Sequence, residues 1–177
     1  MAQYARPDSD VSAGSWTASS GSDLYAMVDE TSYSDSDYVS AIRADTTCEL
    51  GLSNVTDPVS SSGHVLRVRH LKTGAGVMGT CAAILKQGAT TIATMSCTPG
   101  SVQTQELTLS GAEADAITDY NDLRVALTAD WTSGVVTGWQ VTWVELETPD
   151  APAAGGQPLM TRATSVPYMR QWQPGRR

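Results

Sequence analysis

The run from His64 to Thr98, HVLRVRHLKTGAGVMGTCAAILKQGATTIATMSCT, restricts this chain to β structure before anything else is read from it. Leu66 and Val68 alternate with Arg67 and Arg69, the period of two expected of a half-buried strand. Val77 to Lys86 predicts a second strand with Val77, Cys81, Ala83 and Leu85 on one face. Thr90 to Cys97 is rich in β-branched residues and predicts a third. Gly-rich turns at Thr73–Gly76 and Gln87–Ala89 separate them, so the run reads as a β-meander.

The rest of the chain continues the pattern. Tyr38–Ile42, Cys48–Leu52 (Cys48, Leu50 and Leu52 inward), Gln103–Leu109 (Leu107 and Leu109 inward) and Leu123–Ala129 (Leu123, Val125 and Leu127 inward) each predict a strand. Val135–Leu146 predicts the closing strand, with Gly138 as a bulge or bend. Gln3–Arg6 predicts a short strand that Pro7 ends or confines to an edge, and Asp8–Ser15 a loop. Trp16 is expected to pack over the end of the core. Ser22 or Asp23 caps either a helical turn with Leu24, Met27 and Val28 inward or a strand with Leu24, Ala26 and Val28 inward; the turn is favoured. Ser110-Gly111-Ala112-Glu113 has capping-box spacing and predicts one short helix. Asn54–Gly63 is polar and predicts a crossover between sheets.

Strands at these intervals without intervening helices exclude a parallel α/β fold. The expected fold is all-β: a jelly-roll-like antiparallel β-sandwich with one short helix and an extended C-terminal arm. Residues 1–30 are expected to be an N-terminal segment packed on the sandwich, 31–148 the sandwich, and 149–177 the arm.

Composition narrows the function classes. The chain of 177 residues has a net charge of −8. Residues 149–177 hold one acid, Asp150, and four arginines, so this segment is +3 and the preceding body −11. An acidic body argues against nucleic acid as a partner. No apolar run reaches the ~18 residues of a membrane span, and the N-terminus lacks the pattern of a secretory leader. Neither membrane nor export is therefore expected.

The arm has five prolines and no regular period, yet carries Leu159, Met160, Val166, Tyr168, Met169 and Trp172 with Arg162, Arg170, Arg176 and Arg177. Apolar and aromatic side chains beside arginines predict a segment that binds a partner: Leu159, Met160, Arg162, Tyr168, Met169, Arg170, Trp172, Arg176 and Arg177 are its candidate contact residues.

No catalytic motif is present. His64 and His70 share a strand face but lie about 20 Å apart at ~3.3 Å per residue, too far to share a metal or a triad. No G-x-S-x-G elbow occurs. Cys48, Cys81 and Cys97 have no C-x-x-C spacing and are expected to be free, buried thiols. A three-residue turn of Gly88–Thr90 would set Cys81 opposite Cys97 and permit a cross-strand disulfide; a two-residue turn would move them out of line. Asp8/Asp10, Asp35/Asp37 and Asp119/Asp122 lack the sequential spacing of a calcium loop and read as turn residues. No cofactor is expected. Trp139, Val141 and Trp143 alternate on the closing strand. With Phe absent from the chain, that face is read first as core. Were it outward, Trp139 and Trp143 would form a platform for a sugar ring.

Arg6-Pro7-Asp8-Ser9-Asp10, Leu24-Tyr25-Ala26-Met27-Val28-Asp29-Glu30, Ser110-Gly111-Ala112-Glu113-Ala114 and Asp119-Tyr120-Asn121-Asp122-Leu123-Arg124-Val125 resemble the small jelly-roll domains of tailed-bacteriophage virion proteins. These include capsid decoration (cement) proteins and the bases of head or tail fibres. The resemblance spans residues 2–149 and leaves out the arm. It implies a non-enzymatic structural protein, assembled in the host cytoplasm into the virion. Its expected partners are the major capsid protein or another virion protein and further copies of itself, with a trimer matching threefold lattice sites. The alternative it implies is a carbohydrate-binding jelly-roll module of a fibre.

Overall fold

The computed structural model describes residues 1–42, 44–133 and 138–152. Among these residues thirteen strands run in chain order: β1 (Gln3–Ala5), β2 (Pro7–Ser12), β3 (Thr17–Ala18), β4 (Val39–Ile42), β5 (Thr46–Leu52), β6 (Val65–Thr73), β7 (Val77–Met78), β8 (Cys81–Gln87), β9 (Thr90–Cys97), β10 (Gln103–Thr108), β11 (Leu123–Ala129), β12 (Trp131–Ser133) and β13 (Gly138–Thr148). A 3-10 turn covers Tyr25–Met27, and one short helix, α1, covers Gly111–Asp115.

Two antiparallel sheets pack face to face. The first has the order β10-β6-β13-β4-β3, with β1 also paired to β13. The second has the order β2-β5-β11-β8-β9. Taking β4, β5, β6, β8, β9, β10, β11 and β13 as the eight successive strands, their distribution over the sheets is that of a jelly roll. The expected antiparallel β-sandwich is therefore the observed one, while the expected arm lies outside the described residues beyond Pro152.

The core follows from strand alternation. Leu66 and Val68 of β6, Leu50 of β5, Leu85 of β8, Val125 and Leu127 of β11, and Trp139, Val144 and Leu146 of β13 are all buried between the sheets. Phe is absent, and Trp supplies the bulk instead. Trp139, fully buried, meets Trp16 edge-on at 5.6 Å and His70 at 5.5 Å. Trp16 does close one end of the core, as its isolation in a polar loop predicts.

Local signals mostly hold. Ser110 Oγ accepts from Glu113 N, and the Glu113 carboxylate accepts from Ser110 N, so α1 begins at a true capping box. The 3-10 turn buries Leu24 and Val28, but neither Ser22 nor Asp23 caps it: its first amides are satisfied by Asp10, which accepts from Leu24 N and Tyr25 N at 2.8 Å each.

Four local expectations are corrected. The run His64–Thr98 is not a meander, because β6 lies in the first sheet and the β8–β9 hairpin in the second. Val77 is exposed, not part of the β8 face, and belongs to the small β7–β12 pair. Asp8–Ser12 is strand β2 rather than loop, edging the second sheet against β5. Edge strands can be polar on nearly every residue, so β2 lacks the alternation that would have marked it. Gly138 is not the bulge of β13: a Cβ there would sit 2.5 Å from Ala41 O, so glycine lets β4 approach closely. Residues 1–30 thus supply edge strands to both sheets, crossing from the first to the second at Arg6.

Candidate functional site

The outer face of the first sheet carries a groove, and β13 determines where. On its edge opposite β6, β13 is covered by β4 only from Gly138 to Val141 and by β1 only from Leu146 to Thr148. The loop that follows the 3-10 turn closes the gap between them. Val144 N donates to Val28 O at 3.1 Å, and Trp143 Nε1 donates to Glu30 O at 2.7 Å.

At the same place β13 is irregular. Val141 pairs with His70 and Trp143 with Arg69, leaving Thr142 as an extra residue. Side-chain parity changes across it. Trp139 and Val141 point inward before the bulge, and Val144 and Leu146 after it. Thr142 donates to Asp35 and Trp143 meets Tyr33, so both lie on the outer side.

The groove has a volume of about 450 Å³. Trp143 and Glu145 of β13 form its floor, Tyr4 and Arg6 one wall, and Thr31, Ser32 and Tyr33 the other. Tyr4 and Tyr33 are 44% and 54% exposed, whereas Trp143 is only 7% exposed.

Each tyrosine is braced by an arginine that a carboxylate holds. Arg69 lies 4.1 Å from the Tyr33 ring centroid and gives two 2.6 Å hydrogen bonds to Asp35. Asp35 accepts a further bond from Thr142 at 3.1 Å. The Arg69 hydrogen bonds hold the Asp35 carboxyl below its ordinary range, and the same pair raises Arg69. Trp143 meets the Tyr33 ring edge-on at 6.3 Å. On the other wall, Arg6 lies 5.4 Å from the Tyr4 centroid and binds Glu145 at 2.5 Å.

Glu145 is buried, and its second oxygen accepts from Arg67 at 3.4 Å. Arg67 also pairs with Glu147 at 2.6 Å and Glu106 at 3.0 Å. The arginines of β6 are therefore engaged in an ion-pair ladder rather than simply solvated. Arg6 Nε is buried without an acceptor.

A second depression of about 460 Å³ lies between residues 54–57 and 118–121. Its polar groups hold its own loops together. Gln3 exchanges hydrogen bonds with Thr56, Asp119 accepts from Asn121, and the Tyr120 hydroxyl is bonded to His64 at 2.7 Å.

The residues singled out in the sequence fare differently. The paired platform of Trp139 and Trp143 is overturned. Thr142 places the two indoles on opposite faces; Trp139 is wholly core, and Trp143 alone reaches the groove. The contact residues of the arm, Leu159, Met160, Arg162, Tyr168, Met169, Arg170, Trp172, Arg176 and Arg177, lie outside the described residues.

His64 and His70 are buried and separate. His70 Nε2 donates to Gln105 Oε1 at 2.7 Å, an oxygen that also accepts from Thr98 N. All three cysteines are free and buried, with Cys48 and Cys97 thiols pushed up to about 12 and Cys81 to about 11 by burial. Cys81 and Cys97 do face each other, although the turn has only two residues. Ile92 is an extra residue in β9, and it restores the alignment that the short turn removes.

The acidic pairs act locally. Asp10 caps the 3-10 turn, Asp35 holds Arg69, and Asp122 accepts from Arg124 at 2.9 Å. No cluster of three or more His, Cys, Asp or Glu able to hold a metal occurs among the described residues. No helix among them is long and apolar enough to cross a membrane.

Tyr4, Arg6, Thr31, Ser32, Tyr33 and Glu145 were not identified from sequence as members of a site. One signal was available. Tyr33 is a lone aromatic in a Ser/Asp-rich loop, where nothing local requires it.

No protein-family model matches the chain, and no curated protein matches it significantly. Among solved structures, a similar chain is the carbohydrate-binding module CBM36 in complex with calcium and xylotriose. The two are 16% identical, with a TM-score of 0.33 over 66% of this chain and 76% of that one. So distant a likeness transfers neither site nor ligand.

Proposed function

We propose that this chain is a non-enzymatic structural protein of a tailed-bacteriophage virion, a capsid decoration protein that bridges capsid subunits. The observation that carries the reading is the division of charge about a fixed point. The acidic body is a jelly roll, and the basic, aromatic segment begins where β13 ends. That point is tied to β1: Gln3 Nε2 donates to Pro149 O at 3.0 Å, and Gln3 pairs with Thr148. A rigid base with an adhesive arm suits bridging, in which many weak contacts act together across a lattice. The sequence resemblance to phage jelly-roll proteins supports the same reading. The engagement of the described acidic clusters in caps and ion pairs agrees with a structural role.

The test is co-sedimentation with shells assembled from the major capsid protein of the same genome. The full chain is expected to pellet with shells at a fixed copy number per lattice site. A chain ending at Pro152 is expected to keep its β-sheet circular dichroism and lose at least tenfold in shell affinity. Failure of the full chain to bind shells would reject the decoration role. Equal binding by both forms would reject the arm as the adhesive.

A further inference from the structure

We propose that the groove between Tyr4 and Tyr33 is a saccharide-binding site that takes one or two sugar residues. It does not depend on whether the protein decorates capsids, because it is built from the sandwich alone.

The groove is made of two kinds of surface. Tyr4, Tyr33 and Trp143 provide aromatic rings, two of them well exposed. Arg6, Glu145, Thr31 and Ser32 provide donors and acceptors. A sugar ring has a C–H face that packs on aromatic rings and a rim of hydroxyls, each both donor and acceptor. Arg6 and Glu145 set a donor-only group beside an acceptor-only group, 2.5 Å apart. Adjacent hydroxyls on one ring can engage both at once. The groove's volume of about 450 Å³ lies within the ~300–1,000 Å³ of small-ligand sites, at the end suited to a short oligosaccharide.

The rings are also pre-organised. Tyr33 is held by Arg69 and Trp143, and Arg69 in turn by Asp35. Arg69 does not line the groove, so it braces Tyr33 without occupying the site. Tyr4 is backed by Arg6, which Glu145 fixes. Rings already held in place lose little further freedom when a ligand arrives.

An extended peptide fits less well. It would bind by adding a strand to an open sheet edge, and the open stretch of β13 is closed by the bond from Val144 N to Val28 O. A simple anion fits less well too, because Glu145 faces it beside Arg6.

The experiment is saturation-transfer difference NMR on the full chain. The probes are glucose, galactose, mannose, N-acetylglucosamine, N-acetylgalactosamine and N-acetylneuraminic acid, with the β1,4-linked disaccharides of glucose and N-acetylglucosamine. At least one probe should show transfer strongest at its ring C–H protons. Tyr33→Ala and Tyr4→Ala each remove an exposed ring and should weaken that binding at least fivefold. Val102→Ala, at an exposed residue outside the groove, should leave it unchanged. Unaltered melting temperatures would show that the tyrosine variants remain folded. Absence of transfer from every probe, or transfer that survives both tyrosine substitutions, would overturn the assignment. Shell co-sedimentation reports separately on decoration, so either conclusion can fall without the other.

Discussion

His70 lies wholly inside the sandwich, with Trp139 against its ring and Gln105 accepting its Nε2 proton. Its Nδ1 has no partner. His64 is buried as well, with Nε2 on the Tyr120 hydroxyl. Burial lowers both imidazoles below their ordinary 6.5. The unfolded chain therefore takes up protons before the folded one. Stability from this source is complete above about pH 6.5 and is lost as pH falls toward the lower folded values. The melting temperature should drop between pH 7.5 and pH 5, and NMR titration should place both imidazole midpoints below 6.5. Midpoints at or above 6.5 would contradict the burial. Asp35 behaves differently. Its carboxyl is held below the ordinary 3.8, so its contribution is complete above that value and lost only as pH falls through the still lower folded one. The Tyr33 brace should thus outlast the onset of histidine protonation.

At the scale of elements, two extra residues do much of the shaping. Thr142 in β13 turns Trp143 outward and creates the groove floor; Ile92 in β9 returns Cys97 to a position opposite Cys81. Deleting Thr142 would remove the bulge and leave a regular strand, with Trp139, Val141, Val144 and Leu146 still inward and Trp143 still outward, at the cost of the Thr142–Asp35 hydrogen bond. The deletion should therefore keep urea unfolding cooperative and lower its stability by only about 1 kcal/mol. Loss of the cooperative transition would show that the bulge itself is required. The same two residues explain what sequence could disclose. Alternation in β5, β6 and β11 marked strands and inward faces correctly, and the Ser110–Glu113 spacing marked α1. A bulge leaves no such trace, because Thr142 is as ordinary in a strand as any neighbour. Trp139 and Trp143 therefore looked like one face. The groove was hidden for a further reason. Tyr4, Tyr33 and Trp143 are scattered along the chain and meet only through the sheet order.

The molecule as a whole divides into two kinds of material. The sandwich pairs Arg6, Arg67, Arg69, Lys86 and Arg124 with its own carboxylates and stays net acidic. The residues after Pro149 carry the unbalanced positive charge. In the decoration role we propose, capsid binding falls to the second stretch and the fold to the first. The junction between them is the C-terminal end of β13, which is hydrogen-bonded to β6 on one side and to β1 on the other.

That junction also sets how the protein carries mechanical load. β4 is antiparallel to β13, and Ile42 pairs with Gly138 at the far end of the strand from Thr148. Tension between residue 42 and residue 152 pulls the strands lengthwise past each other, so their hydrogen bonds resist together in shear. Tension between Met1 and residue 152 acts differently. Gln3 pairs with Thr148, so β1 peels from β13 one bond at a time. Forced unfolding follows the barrier along the pulled direction rather than the equilibrium stability. Single-molecule pulling should therefore need a higher force from residue 42 than from residue 1, and equal forces would refute the shear geometry. In the decoration role we propose, a shell swelling under internal pressure would load the protein along its strong axis only if β13 sits in line with the stretch.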